Sequence, residues 1–76
     1  MLEKGQKVQF KEGAFTQVIG KGITYTVTGA FQKGDETPYG ETYNGSTPLY
    51  RIVTDDSAVP EPLRILYETE DSIIPV

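Results

Sequence analysis

The stretch that decides the fold is residues 23–31, ITYTVTGAF. Apolar residues alternate here with small or β-branched ones, which is the pattern of a half-buried β-strand. Gly29 interrupts the alternation, and a glycine inside a strand often marks a bulge or a bend in a barrel. The stretch therefore predicts one long, bent strand.

Shorter segments with the same alternation lie on both sides of it, separated by turns rich in the 8 Gly and 5 Pro residues. Together they predict strands near residues 7–11, 22–32, 48–54, 62–68 and 73–76. Residues 13–22 and 33–48 are predicted loops, the second with a small hairpin whose tip is Asn44-Gly45. Because no segment shows a helical period, the predicted fold class is all-β.

The same pattern predicts which side chains are buried. Four aromatic residues lie in strand patterns and are predicted to be in the core: Phe10, Tyr25, Phe31 and Tyr50. Three residues of the fourth strand should share one face: Leu63, Ile65 and Tyr67. The apolar residues of the first loop should fold back onto the core: Phe15, Val18 and Ile19.

Length and composition predict a single domain over residues 1–76. Cys and His are both absent, so disulfides are excluded and the usual zinc ligands are missing. The first residues, MLEKGQK, lack the apolar run of a signal peptide, and no run of 18 apolar residues could cross a membrane. We therefore expect a cytoplasmic protein whose core is held by apolar packing.

The order of strands and loops resembles that of SH3-like small barrels along nearly the whole chain. The resemblance implies a five-stranded SH3-like small barrel in which the long second strand bends to serve two sheets. The alternative is a five-stranded OB-type barrel, which usually has a helix between its third and fourth strands. Pro60 and Pro62 leave no room for such a helix.

Residues 5–27 contain a spaced set of glycines and apolar residues: Gly5, Val8, Phe10, the sequence GAF at 13–15, the sequence GKGI at 20–23, and Val27. In these features the segment is similar to a KOW-type segment. This resemblance implies a β-hairpin-like unit of a kind that often contacts RNA, DNA or the proteins of ribosomes and transcription.

Catalysis is not expected. The chain has no His to act as a base near neutral pH and no Cys nucleophile. Its adjacent acids, Asp55-Asp56 and Glu70-Asp71, lie in predicted turns, where carboxylates are solvated. A domain of this size also offers little depth for a pocket of about 300 Å³. We expect no enzyme activity, no cofactor and no metal site.

Charge is distributed unevenly along the chain. Residues 1–34 carry five Lys and two Glu (+3), and residues 35–76 carry two Arg and nine acids (−7), which gives −4. The acidic half and the loop aromatics predict a protein-interaction or assembly module with a basic protein partner. The candidate partner-binding residues are Phe15, Tyr39, Tyr43, Asp55, Asp56, Glu68, Glu70 and Asp71. Two other interpretations stay open: the aromatics cap the barrel ends, and the charge only keeps a small domain soluble.

Three further hypotheses compete with this one. The first is a KOW-like nucleic-acid-binding accessory protein that uses Lys7, Lys11, Lys21 and Lys33, although a net acidic chain lacks the usual basic stripe. The second is an acidic surface that mimics nucleic acid or the natural ligand of a basic protein. The third is homo-oligomer formation through the apolar C-terminal strand, residues 73–76.

Overall fold

A computed structural model describes the backbone of all 76 residues and every side chain except those of Ala14 and Phe15. The strands are β1 (Lys7–Phe10), β2 (Tyr25–Phe31), β3 (Leu49–Val53), β4 (Ile65–Thr69) and β5 (Ile73–Pro75). They form one antiparallel sheet in the order β4-β3-β2-β1-β5. The all-β prediction is confirmed, and each predicted strand is present with ends that differ by at most three residues.

The first predicted loop contains a short helix, α1 (Ala14–Ile19), so the loop prediction was wrong there. Thr16 and Ile19 are three residues apart and both are buried, so one side of the helix faces the core. Val18 is 64% exposed, against the expectation that it would be buried. The expectation for Phe15 lies outside the described side chains. Six residues are too few to show a helical period in the sequence.

The bend predicted from Gly29 is present as a β-bulge. Val27 is paired with Ile52 and Gly29 with Arg51, so β2 has one residue more than β3 at this point. The extra residue is Thr28, whose hydroxyl accepts a hydrogen bond from Arg51 Nη1 at 2.7 Å. The bulge is therefore fixed by a side chain of the strand it faces.

The bulge inverts the alternation of β2. Tyr25 and Val27, before it, are 0% and 1% exposed and belong to the core. Phe31, after it, pairs with Leu49 and is half-buried on the other side of the sheet. The prediction that Phe31 is a core residue was wrong, because one inserted residue moves every later side chain to the opposite face.

A turn of 3-10 helix (Glu61–Leu63) precedes β4, where a strand was predicted from residue 62. Leu63 and Leu66, three residues apart, are the ones that pack against the core. Ile65 is 48% exposed and shares its face with Tyr67. The prediction of one face for Leu63, Ile65 and Tyr67 was therefore wrong, because the tight turn changes the period before the strand begins.

The core contains two fully buried tyrosines. Its buried apolar members are Leu2, Val8, Ile19, Tyr25, Val27, Tyr50, Ile52, Val59 and Ile73. Tyr25 donates its hydroxyl hydrogen to the Leu63 carbonyl at 2.8 Å, and Tyr50 Oη accepts the Leu2 backbone N–H at 3.0 Å. Phe10 packs against this core, edge-on to Tyr25 with ring centroids 5.5 Å apart. The core predictions for Tyr25 and Tyr50 are confirmed.

The buried hydroxyl of Tyr50 gives a test of the packing. Tyr50→Phe leaves the Leu2 N–H without its acceptor and removes the hydrogen bond to Glu70 Oε1 at 3.4 Å. We expect a loss of about 1–3 kcal/mol in the free energy of unfolding, measured with urea. Tyr39→Phe is the matched control, because it removes a hydroxyl from a side chain that is 72% exposed. The control should change stability by less than about 0.5 kcal/mol. Equal effects of the two substitutions would contradict the packing described here.

Candidate interaction site

The long connection between β2 and β3 contains a small hairpin that presents Tyr39. Its strands are joined by hydrogen bonds from Gly34 N to Tyr43 O at 2.9 Å and from Tyr43 N to Asp35 O at 2.8 Å. The tip is the turn 37–40, closed by Gly40 N to Thr37 O at 3.1 Å. Pro at the second position and Gly40 with a φ of 79° are typical of a tight turn followed by a left-handed residue. A hairpin was predicted, but its tip is not Asn44-Gly45.

Asn44-Gly45 does not form the tip of the hairpin; Gly45 lies against the ring of Tyr43 instead. Tyr43 donates its hydroxyl hydrogen to the Thr47 carbonyl at 2.5 Å, so its ring lies over Gly45. A Cβ at Gly45 would overlap the Tyr43 hydroxyl and ring. The glycine is needed for close approach, and Tyr43 holds its own loop together. Tyr43 is half-buried, so it offers a partner less surface than Tyr39 does.

Three aromatic rings meet on the side of the sheet that faces away from the core. The Tyr39 and Tyr67 ring centroids are 5.5 Å apart at 67°, and those of Phe31 and Tyr67 are 6.0 Å apart at 48°. Tyr39 is 72% exposed, and Ile65, two residues before Tyr67 on β4, is 48% exposed. We call the surface formed by Phe31, Tyr39, Ile65 and Tyr67 the outer aromatic face. Of the four, only Tyr39 was predicted from the sequence to bind a partner.

The predicted acidic residues do not form one surface. Asp55 and Asp56 follow the end of β3 that pairs with the start of β4, whereas Glu68, Glu70 and Asp71 lie at the end of β4. The two groups are therefore at opposite ends of the β3–β4 pair. The acidic candidates for partner binding therefore lie on two separate parts of the surface.

Two of these acids are occupied by contacts within the chain. Asp56 Oδ1 accepts the Ala58 N–H at 2.9 Å, which forms the turn after β3. Glu70 Oε1 lies 3.6 Å from the N-terminal amine of Met1 and accepts the Tyr50 hydroxyl hydrogen at 3.4 Å. Asp55 and Asp71 are exposed.

Glu68 lies in a surface depression of about 310 Å³. The depression is lined by Phe10, Lys11, Glu12, Gly13, Glu68, Asp71 and Ser72. Partial burial raises the pKa of the Glu68 carboxyl, and a hydrogen bond with Ser72 opposes that shift. Burial also raises the pKa of Tyr25, and the Glu68 charge adds to it. The depression reaches the size that a domain this small was not expected to offer, although it is an open surface feature.

Three of the four lysines of the nucleic-acid hypothesis lie beside acidic or hydroxyl groups. Lys7 donates to Thr26 Oγ1 at 2.7 Å, in a second depression of about 350 Å³ that Asp55 also lines. Lys21 pairs with Glu12 at 2.5 Å, and Lys11 lies in the Glu68 depression. Lys33 is exposed in the connection after β2. These positions do not make the continuous basic stripe that backbone phosphates require.

Among the residues whose side chains are described, no group of three or more Asp or Glu is placed to hold a metal ion. Within the same residues, no helix is long and apolar enough to cross a membrane. Comparison with known proteins adds nothing to the site, since no family model, curated protein or solved structure matches the chain.

The Glu68 environment predicts a pH-dependent stability effect. Because the folded-state pKa is raised, the folded chain holds this proton more tightly than the unfolded chain does. Ionised Glu68 therefore destabilises the fold. The loss in the free energy of unfolding grows as pH rises from 4.5, the ordinary pKa of a glutamate, through the raised pKa of the folded chain. Glu68→Gln should raise the thermal midpoint at pH 7 and leave it nearly unchanged at about pH 3.5.

Glu61→Gln is the matched control for that experiment, because Glu61 is an exposed acid on the 3-10 turn. The two variants have the same net charge at neutral pH. A Glu68→Gln midpoint no higher than that of the control at pH 7 would show that burial of this carboxylate costs nothing.

Proposed function

We propose that this chain is a small, non-catalytic protein-interaction module that binds a basic protein partner through the outer aromatic face. The observation that carries the proposal is the uncovered contact between the rings of Phe31, Tyr39 and Tyr67, next to the exposed Ile65. Grouped apolar side chains on a surface mark interaction sites, and aromatic residues dominate the binding energy of such sites.

The construction of the face favours binding. Tyr39 stands on a hydrogen-bonded hairpin tip, and Tyr67 stands in the middle of a paired strand. Because the backbone below both rings is already ordered, a partner that covers them loses little chain entropy on this side. The hydroxyl groups allow hydrogen bonds at the rim while the rings supply buried apolar area.

Charge supports a basic partner. Glu36 and Glu41 are both exposed, and they flank the turn that carries Tyr39. Three of the four residues of the outer aromatic face belong to residues 35–76, the half of the chain with a net charge of −7. Such a field speeds the encounter with a positively charged surface and slows the encounter with an acidic one.

We also propose that the fold is an SH3-like small barrel. Its support is the strand order, the bent β2, and a β3–β4 connection that contains a 3-10 turn. That connection has only this turn where an OB-type barrel usually has a helix. The KOW-like resemblance of residues 5–27 is a proposal of the same kind, and α1 lies within that segment.

Affinity capture with paired variants tests the function. The wild-type chain, Tyr39→Ser and Val18→Ser are each immobilised and exposed to lysate of the source cells. Val18 is the matched control, because it is an exposed apolar residue on α1, at 64% exposure. We expect a stoichiometric basic protein bound to the wild type and to Val18→Ser. Tyr39→Ser should lower its recovery by about tenfold or more, as loss of an interface aromatic does.

Two outcomes would overturn the proposal. One is the recovery of no stoichiometric protein by the wild-type chain. The other is a partner whose recovery is reduced equally by Tyr39→Ser and Val18→Ser, since such binding would not depend on the outer aromatic face. Circular dichroism of all three chains establishes that the substitutions leave the fold intact.

A further inference from the structure

The outer edge of β4 carries unused backbone groups. β4 is the first strand in the sheet order and pairs only with β3. The hydrogen bond from Thr54 N to Arg64 O, at 2.9 Å, shows that Thr54 and Arg64 are a hydrogen-bonded pair of this ladder. Because bonded and non-bonded pairs alternate in an antiparallel ladder, Leu66 and Glu68 bond to β3, and Tyr67 directs its N–H and C=O outward.

The other edge of the sheet is protected and β4 is not. β5 has three residues, and one of them is Pro75, which has no N–H to offer a further strand. β4 has five residues and contains neither proline nor lysine. In the described chain, the backbone groups of Ile65 and Tyr67 on the open side make no hydrogen bond.

The two sides of β4 differ in chemistry. Ile65 and Tyr67 belong to the outer aromatic face, and Thr69 ends that side of the strand. On the other side, Leu66 lies opposite Ile52 and Glu68 lies opposite Tyr50. Glu70 continues this side beyond the end of the strand and also reaches Tyr50. A strand next to β4 would meet Ile65 and Tyr67 on one face, and Leu66 followed by the Glu68 carboxylate on the other.

We propose that an extended segment of the basic partner adds to the β4 edge as a sixth strand, with apolar residues beside Tyr67 alternating with Lys or Arg beside Glu68. This inference rests on the proposed interaction function and specifies its binding mode. Backbone hydrogen bonds to Tyr67 supply the alignment, and the alternating side chains supply the selectivity. A cation beside Glu68 would also compensate a carboxylate that is partly buried.

A second copy of the chain fits this edge less well. Pairing of two β4 strands about Tyr67 would place Leu66 opposite Glu68 of the other copy, so neither carboxylate would gain a cation. The net charge of −4 also opposes self-association. The charge pattern therefore selects a basic segment from another protein.

A peptide titration followed by amide NMR tests the added strand. The probe is Ac-TVKVRVT-NH2, and the control is Ac-TVEVEVT-NH2. With the basic probe near saturation, we expect the Tyr67 amide to exchange with solvent about tenfold more slowly. The acidic control should leave it unchanged. Two further forms of the basic probe, N-methylated on one or the other alternate set of amides, should differ, because only one set faces β4.

Matched variants test the charge. Glu68→Gln should weaken binding of the basic probe about two- to fivefold, whereas Glu61→Gln should leave it unchanged.

Unchanged exchange at Tyr67, or equal binding of the two N-methylated forms, would overturn the added strand. Tyr67 protection that rises with protein concentration without peptide would overturn it in favour of a second copy. If Tyr39-dependent capture of a basic protein persists in those cases, the proposed function stands and only the binding mode is wrong. If that capture is absent as well, the function itself fails.

Discussion

The extra residue that β2 inserts opposite β3 at Thr28 determines how the apolar side chains are distributed. Before it, Tyr25 and Val27 point into the core, and after it Phe31 points away. Without the insertion, the alternation would carry Phe31 inward and leave the outer side of the sheet with fewer apolar groups. The bulge thus uses one strand to supply both the packing that stabilises the domain and part of the surface that we propose binds a partner.

The buried tyrosines connect the chain ends to this arrangement. Tyr50 accepts the Leu2 N–H and donates to Glu70, which also approaches the N-terminal amine. Tyr25 donates to the Leu63 carbonyl at the turn before β4. In a domain too small for a large core, such satisfied hydroxyls align segments that apolar packing alone would leave loosely placed. The position of β4, and with it the open edge, depends on these contacts.

The period-2 pattern was sufficient to predict the strands, because alternation reports burial directly. It was insufficient wherever a local turn changes the phase. Phe31 was assigned to the wrong side because Gly29 indicated a bend in β2 but not that an inserted residue would move Phe31 to the other face. Leu63 was wrongly given the same face as Ile65 and Tyr67, because the 3-10 turn before β4 leaves no signal in the alternation. Tyr39 could be recognised as a candidate because it is an aromatic residue in a predicted loop, but its contact with Tyr67 joins residues 28 positions apart and leaves no local signal.

The interaction surface depends on the bulge at Thr28, because the bulge puts Tyr25 and Phe31 on opposite faces of the sheet. An isotope-edited NOESY spectrum of the chain is the most direct test of this arrangement. We expect cross-peaks between the ring protons of Phe31 and Tyr67, together with cross-peaks from Tyr25 to the core. Cross-peaks from the Phe31 ring to the methyl groups of Ile52 or Val59, without any to Tyr67, would contradict it. Such a spectrum would mean that β2 continues without the bulge and that the outer aromatic face does not exist.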